Sequence, residues 1–192
     1  MAIPTLYKDV AGFMNFEGLY DYVINNTPLK FKAVELGVWQ GRSAVYLLEK
    51  CVLEDKICQL DCIDTWKFDH PLVKINEGNI VNLFVDNIKQ AGFIRDINVI
   101  QVNSIKAACL YDDKSLDFVM IDTDHLYENT KNEIDVWYSK LKHGGFMGFD
   151  DYNNPDFVGV KQAVDEFVEE KQAIIDFTKS DLSIFSMLIK FK

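Results

Sequence analysis

Two short acidic clusters carry the side chains best suited to chemistry. Asp122-Thr123-Asp124-His125 follows the apolar run Leu116–Ile121, and Asp150-Asp151 follows Phe146–Phe149. Runs of this kind read as central strands of a parallel sheet. Neighbouring parallel strands bring their carboxyl ends roughly 5 Å apart. At least three carboxylates therefore converge, and without compensation they repel one another and hold on to protons. A hard divalent cation with oxygen ligands resolves that conflict: Mg²⁺ first, Ca²⁺ or Mn²⁺ as alternatives. His125 titrates near neutrality and suits a general base; the bland alternative is a structural histidine at a helix N-terminus. Asp124 either orients His125 or caps that helix.

A second constellation lies earlier, in Glu35-x-Gly37-x-x-x-Gly41-x-Ser43. The strand before it (about 32–37) is apolar at Ala33, Val34 and Leu36, and the helix after it (about 42–53) buries Ala44, Val45, Leu47 and Leu48. Strand, glycine turn and helix in that order place a helix N-terminus at the carboxyl end of a strand, where open α/β sheets bind nucleotides. The two glycines are expected to let a ligand approach the backbone. Glu35 is a carboxylate on an otherwise buried strand, which is costly unless it is paired. Asp64 ends the next strand, Ile57–Ile63, where an acid can accept hydrogen bonds from ribose hydroxyls; a helix cap or turn aspartate is the plain alternative.

These sites need a frame, and the rest of the chain supplies it. Residues 1–28 read as an N-terminal helical cap, with Phe13, Phe16, Leu19, Tyr20, Val23 and Ile24 at helical spacing and Pro28 ending it. A loop over 65–78 holds Trp66 and His70; His70 precedes a proline and reads as a turn residue. A helix through Ile80, Leu83, Phe84 and Ile88 closes at Gly92, and Ile97–Val102 is the third strand. A short helix covers Ile105–Tyr111. The helix after His125 is expected to run to Leu141 with Gly144-Gly145 as its C-terminal cap and His143 in its last turn. An amphipathic stripe (Val160, Ala163, Val164, Phe167) precedes two final strands, Ala173–Thr178 and Ile184–Ile189. Their link through Lys179-Ser180-Asp181-Leu182 is too short for a crossover, so they pair antiparallel.

At 192 residues the chain suits one domain with one core. Its net charge of −10 argues against nucleic acid or an anionic membrane as the main partner, though not against a small anionic substrate. Cys51, Cys58, Cys62 and Cys109 have neither CxxC nor zinc spacing and read as thiols in a reducing, cytoplasmic compartment. No apolar run is long enough to span a bilayer.

The glycine turn resembles the first motif of class I S-adenosylmethionine (SAM) methyltransferases rather than the G-x-G-x-x-G of dinucleotide sites. IDTDHLYE followed by LKHGGFMGFDDY resembles the metal-dependent catechol and caffeoyl-CoA O-methyltransferases. It is closer still to the bacterial sugar and macrolide O-methyltransferases with a D-x-D-H-x-Y segment. The likeness covers most of the chain after residue 30. It implies a Rossmann-like, doubly wound α/β sheet of seven strands in the order 3-2-1-4-5-7-6, with a single domain over 1–192. It implies a SAM-dependent O-methyltransferase acting on a hydroxyl of a small acceptor, a sugar or polyol before a catechol. Contacts to SAM are then expected from Glu35, Gly37, Val38, Gly41, Ser43, Asp64, Thr65, Trp66, Asn103, Ser104 and Asp122. The metal ligands carried over are Asp122, Asp150 and Asp151, the last being Asn in the catechol type. His125 stands where that type has a lysine base. Tyr127, Tyr152 and Asn153 are expected to line the acceptor pocket, and the terminal strands and N-terminal helix offer surfaces for a homodimer. Three other readings are a SAM-fold enzyme of another class with iron at the carboxylates, a non-catalytic SAM- or metal-binding protein, and a nucleotide-binding oxidoreductase. Iron would want two histidines, and the glycine spacing disfavours the oxidoreductase.

Overall fold

Seven strands form one sheet in the order β3-β2-β1-β4-β5-β7-β6 in the computed structural model, which describes residues 6–67, 77–171, 174–177 and 186–191. The strands are β1 (Lys30–Leu36), β2 (Ile57–Asp64), β3 (Ile97–Gln101), β4 (Leu116–Ile121), β5 (Leu141–Phe149), β6 (Ile174–Phe177) and β7 (Met187–Lys190). The first five pair in parallel, and β7 runs antiparallel to both β5 and β6. This is the expected order. β4 takes the middle because all six of its residues are buried, and only a strand covered on both faces tolerates that pattern.

The helices are α1 (Glu17–Asn26), α2 (Arg42–Leu53), α3 (Glu77–Ala91), α4 (Ser104–Ala107), α5 (Tyr127–Tyr138) and α6 (Val158–Lys171). One apolar layer joins α1, α2 and α3 to the sheet through Phe16, Tyr20, Leu47 and Phe84. The other joins α4, α5 and α6 through Ala107, Ile134, Trp137 and Val164. After β1 the chain winds outward to β2 and β3, then crosses to β4 on the other side of β1. The gap between the carboxyl ends of β1 and β4 is therefore the switch point, the place where open sheets bind ligands.

Three sequence expectations need correction. The N-terminal helix begins at Glu17, so Phe13 lies before it and is fully exposed (101%). Tyr7–Asp9 forms a separate 3₁₀ turn that rests its Tyr7 ring edge-on to Tyr46 at 4.8 Å. The helix after His125 stops at Tyr138, and β5 already starts at Leu141. Gly144-Gly145 is thus no helix cap. Leu116 pairs with Leu141 but Phe118 with Phe146, so residues 142–145 form a bulge in β5, with Gly144 at φ +79°. His143 sits in that bulge, not in a helix. The C-terminus of α1 is closed instead by Lys56, whose Nζ donates to the carbonyls of Ile24 and Thr27 where Pro28 forbids further helix. His70 and most of its loop fall outside the described residues.

Candidate functional site

The first half of the site is the glycine turn. Gly37 has φ +81°, and a Cβ there would lie 1.7 Å from the carbonyl oxygen of Asp122. Gly41 has φ +90°, and a Cβ there would lie 2.9 Å from the Phe84 ring. The protein's own packing thus also calls for glycine at both positions. Trp39 also adopts a left-handed conformation, at φ +47°, so the turn curls its N–H groups inward. Val38 and Trp39 each donate to Asp64 Oδ2 at 3.0 Å, and Trp66 donates to Oδ1 at 2.7 Å. Trp66 itself is buried against Phe84, and its indole donates to the Trp39 carbonyl at 2.8 Å. It splices the two loops. Thr65 turns its hydroxyl to the N–H of Lys67 at 3.3 Å.

Glu35 is 1% exposed. Its Oε1 accepts from the Ser43 hydroxyl, while Oε2 is buried with no hydrogen-bond partner. Burial, helped by the charges of Asp122 and Asp64, pushes the carboxyl up to about 8 against the pull of Ser43 and Tyr20. The folded value lies above the unfolded one, so folding stability falls as pH rises from about 4.5 to 8, by up to about 1.4 kcal/mol per unit from this group. Glu35→Gln should accordingly lose less stability than wild type between pH 6 and pH 8 in urea unfolding of the ligand-free protein. Parallel losses would show that Glu35 is not the buried proton.

The second half lies at β4 and β5. Ile121 pairs with Phe149, so Asp122 and Asp150 emerge side by side. The Asp150 N–H donates to the Ile121 carbonyl at 3.1 Å, and the Asp122 N–H donates to that of Leu36 at 2.9 Å. His125 Nε2 stands 3.3 Å from Asp122 Oδ1 and 3.5 Å from Asp151 Oδ2. His125 and Asp151 both occupy left-handed backbone, at φ +60° and +55°, a conformation that surrounding structure must hold for residues other than glycine. Asn154 does so for Asp151, donating to its Oδ1 at 2.9 Å. Phe157 stacks on His125 with ring centres 4.6 Å apart. One donor atom each from Asp122, His125 and Asp150 falls within 4.8 Å of the others. Burial, then the charges of Asp122 and Asp151, pushes Asp150 up to about 8. Burial pulls His125 down, but Asp122, Asp151 and Asp150 outweigh it and the imidazole is raised.

The donor set fits a cation. Asp150 Oδ1 is buried without a hydrogen-bond partner, and such an atom is costly unless something binds it. Of the three carried-over ligands, Asp122 and Asp150 belong to the compact donor group, and Asp151 faces it through His125. Asp124 does not join them. It is exposed and accepts from the Leu126 N–H at 3.1 Å and from the Asn129 side chain, which fixes the turn leading into α5, whose N-cap residue is Leu126.

Asn103 caps α4 through the Lys106 N–H, and Ser104 donates to Glu133. Tyr152 and Asn153 line a cleft of about 550 Å³ with Asn154, Lys161, Gln162 and Asp165. Tyr127 instead donates to Glu166 at 2.7 Å. The sequence reading passed over Glu133, Asn154 and Phe157. For Glu133 a signal existed, since it shares the helical spacing of Thr130, Ile134 and Trp137 and is the acid on that buried stripe.

Residues 34–152, from β1 through the second acidic cluster, match the family described as "Methyltransferase domain". The chain belongs to that family. Its architecture is shared with the O-methyltransferase NovP (TM-score 0.67, 16% identity, 91% of this chain and 80% of that one). It is shared equally with CalS11, a TDP-rhamnose 3'-O-methyltransferase of calicheamicin biosynthesis (TM-score 0.64, 13% identity, 91% and 76%). A third is a Staphylococcus aureus protein provisionally named a caffeoyl-CoA O-methyltransferase (TM-score 0.68, 15% identity, 95% and 87%). At these identities the likeness is one of fold. No curated protein sequence matches the chain. The methyltransferase thus has the expected class I sheet, and among its described residues no helix is long and apolar enough to cross a membrane.

Proposed function

We propose that this methyltransferase transfers the methyl group of SAM to a hydroxyl of a small acceptor, a sugar or other polyol before a catechol, with a divalent cation at Asp122, Asp150 and Asp151. One observation carries the cofactor reading. In a dinucleotide site the turn N–H groups are free to face a pyrophosphate; here those of Val38 and Trp39 are taken by Asp64. The charges of Asp122 and Asp64 both reach Glu35 at the turn. Such a turn repels a pyrophosphate and attracts a cofactor with an ammonium, a sulfonium and a ribose diol.

SAM, when bound, supplies an electrophilic methyl group, and a divalent cation supplies compensation for the clustered carboxylates and Lewis acidity toward acceptor oxygens. The remaining work belongs to the chain. The unpartnered Oε2 of Glu35 receives the ammonium end. Asp64 has one partner on Oδ1, which leaves a lone pair for a ribose hydroxyl. Asn103 and Ser104 border the adenine. His125 takes the acceptor proton at Nε2, its ring held in place by Phe157. Tyr152 and Asn153, which follow Asp151 in the chain, line the acceptor pocket. Fixing donor and acceptor in one geometry contributes much of the rate. The O-methyltransferase neighbours support a hydroxyl acceptor, and the four unpaired cysteines support a reducing, cytoplasmic setting.

Calorimetric titration with S-adenosylhomocysteine, with NAD as control, tests the reading. Micromolar binding of S-adenosylhomocysteine and none of NAD is expected. Tight NAD binding, or no binding of either, would overturn it.

A further inference from the structure

Glu133 is a buried acid that none of the steps above uses. It is 1% exposed and sits on the inner face of α5. Its Oε1 accepts from the hydroxyl of Ser104, the first residue of α4 after β3. Its Oε2 accepts from the hydroxyl of Thr123, after β4, at 2.8 Å. One turn further along α5, the Trp137 indole donates to the Ser104 carbonyl at 3.1 Å. In the sheet, β3 and β4 are separated by β2 and β1, so their ends lie about 14 Å apart. The chain after β3 must fold back across that distance to reach Glu133. One carboxylate thus fastens the segments after β3 and β4 to a single point on a rigid helix. Those segments flank the switch point, and Thr123 directly follows Asp122.

We propose that Glu133 is a positioning residue for the cofactor, setting the width of the adenine-binding slot by accepting one hydrogen bond from Ser104 and one from Thr123. The inference rests on the SAM reading above. A carboxylate is the fitting group because it offers two acceptor oxygens on a fixed planar fork. Both hydroxyls donate to it and are thereby held in one rotamer. Removing the fork leaves two hydroxyls loose at the slot, and the segment after β3 then keeps the Trp137 hydrogen bond and the apolar packing of Ala107 and Tyr111 against α5, none of which reaches Thr123.

The test is the affinity of the full chain for S-adenosylhomocysteine and for adenosine, measured beside thermal unfolding. Glu133→Ala should weaken both ligands by about tenfold or more. Glu133→Gln, which keeps one acceptor and can donate to the second hydroxyl oxygen, should recover most of that loss. Ser104→Ala and Thr123→Val should each weaken binding in the wild-type background and add nothing in the Glu133→Ala background. If Glu133→Ala does not fold, Glu133→Gln and the two hydroxyl variants, singly and together, decide the matter. Unchanged affinity in Glu133→Ala with only a lowered melting temperature would overturn the proposal, as would additive losses in the combined variants. Failure of the wild-type protein to bind S-adenosylhomocysteine would instead overturn the cofactor reading, and the proposal with it.

Discussion

Asp150→Ala is expected to remove divalent-cation binding while leaving S-adenosylhomocysteine binding within about threefold of wild type. Asp150 is the natural place to break the site. Its Oδ1 is buried without a hydrogen-bond partner, and the charges of Asp122 and Asp151 both press on it. Loss of a residue that merely supports a ligand costs 10- to 100-fold in metal affinity, so loss of a direct ligand should cost about 100-fold or more. Mn²⁺ binding followed by water-proton relaxation reads this without knowledge of the acceptor. The same measurement has a predictable pH profile. The carboxyl is raised to about 8 and must release its proton to ligate. Cation affinity should therefore rise from pH 6 to about 8.5 and then level. Equal Mn²⁺ affinity in wild type and Asp150→Ala would refute the metal role. Turnover on a hydroxyl acceptor should disappear with the cation.

Gly37→Ala should be the most damaging single methyl addition in the protein. The added carbon would meet the Asp122 carbonyl oxygen at 1.7 Å and its carbon at 2.7 Å. Neither is the tip of a flexible side chain. Gly37 donates to the Ile63 carbonyl at 2.9 Å, and the Asp122 N–H donates to the Leu36 carbonyl at 2.9 Å. The carboxyl ends of β1, β2 and β4 are thus laced together around this residue. Relieving the clash must spread β1 from β4 and carry Asp122 away from His125. A loss of about 3–5 kcal/mol and of cofactor binding is expected. Gly92 supplies the control. It too has a φ of +90°, but nothing lies within 4 Å of an added Cβ, so Gly92→Ala should cost only the backbone penalty of about 1 kcal/mol. Urea unfolding of the two variants makes the comparison, and similar losses would show that the close approach is not what the glycine serves.

Much of this arrangement was legible in the residues. Apolar run length placed β4 at the centre, the glycine turn placed the β1–α2 junction, and the short link placed the antiparallel pair at the end. The strand order came from resemblance, because spacing alone does not say which strands are neighbours. Local patterns misled where a non-local contact decides. Gly144-Gly145 reads as a helix stop, yet Lys142–Gly145 is extra chain in a strand whose partner has fewer residues. Phe13 shares the helical spacing of Phe16 and Tyr20, but the helix starts after it. At Gly37 the atom that an added Cβ would strike belongs to residue 122, eighty-five positions later, which no local pattern shows. Asp124 and His125 are adjacent in sequence and part ways in space, because the left-handed backbone at His125 sends one into the cluster and the other to the turn before α5.

The place of β7 bears on how the chain is made. β7 lies between β5 and β6, yet of the seven described strands it is the last to be synthesised. Until Met187–Lys190 arrives, β5 is a bare edge, and its buried run Phe146–Phe149 is an invitation to pair with another chain. Synthesis of the intervening residues takes on the order of 2–8 s at about 5–20 residues per second. Over that interval the strand that carries Asp150 lacks its outer partner. A nascent chain stalled before residue 187 should therefore present β5 to a chaperone, and the second acidic cluster should become ordered only after translation has passed β7.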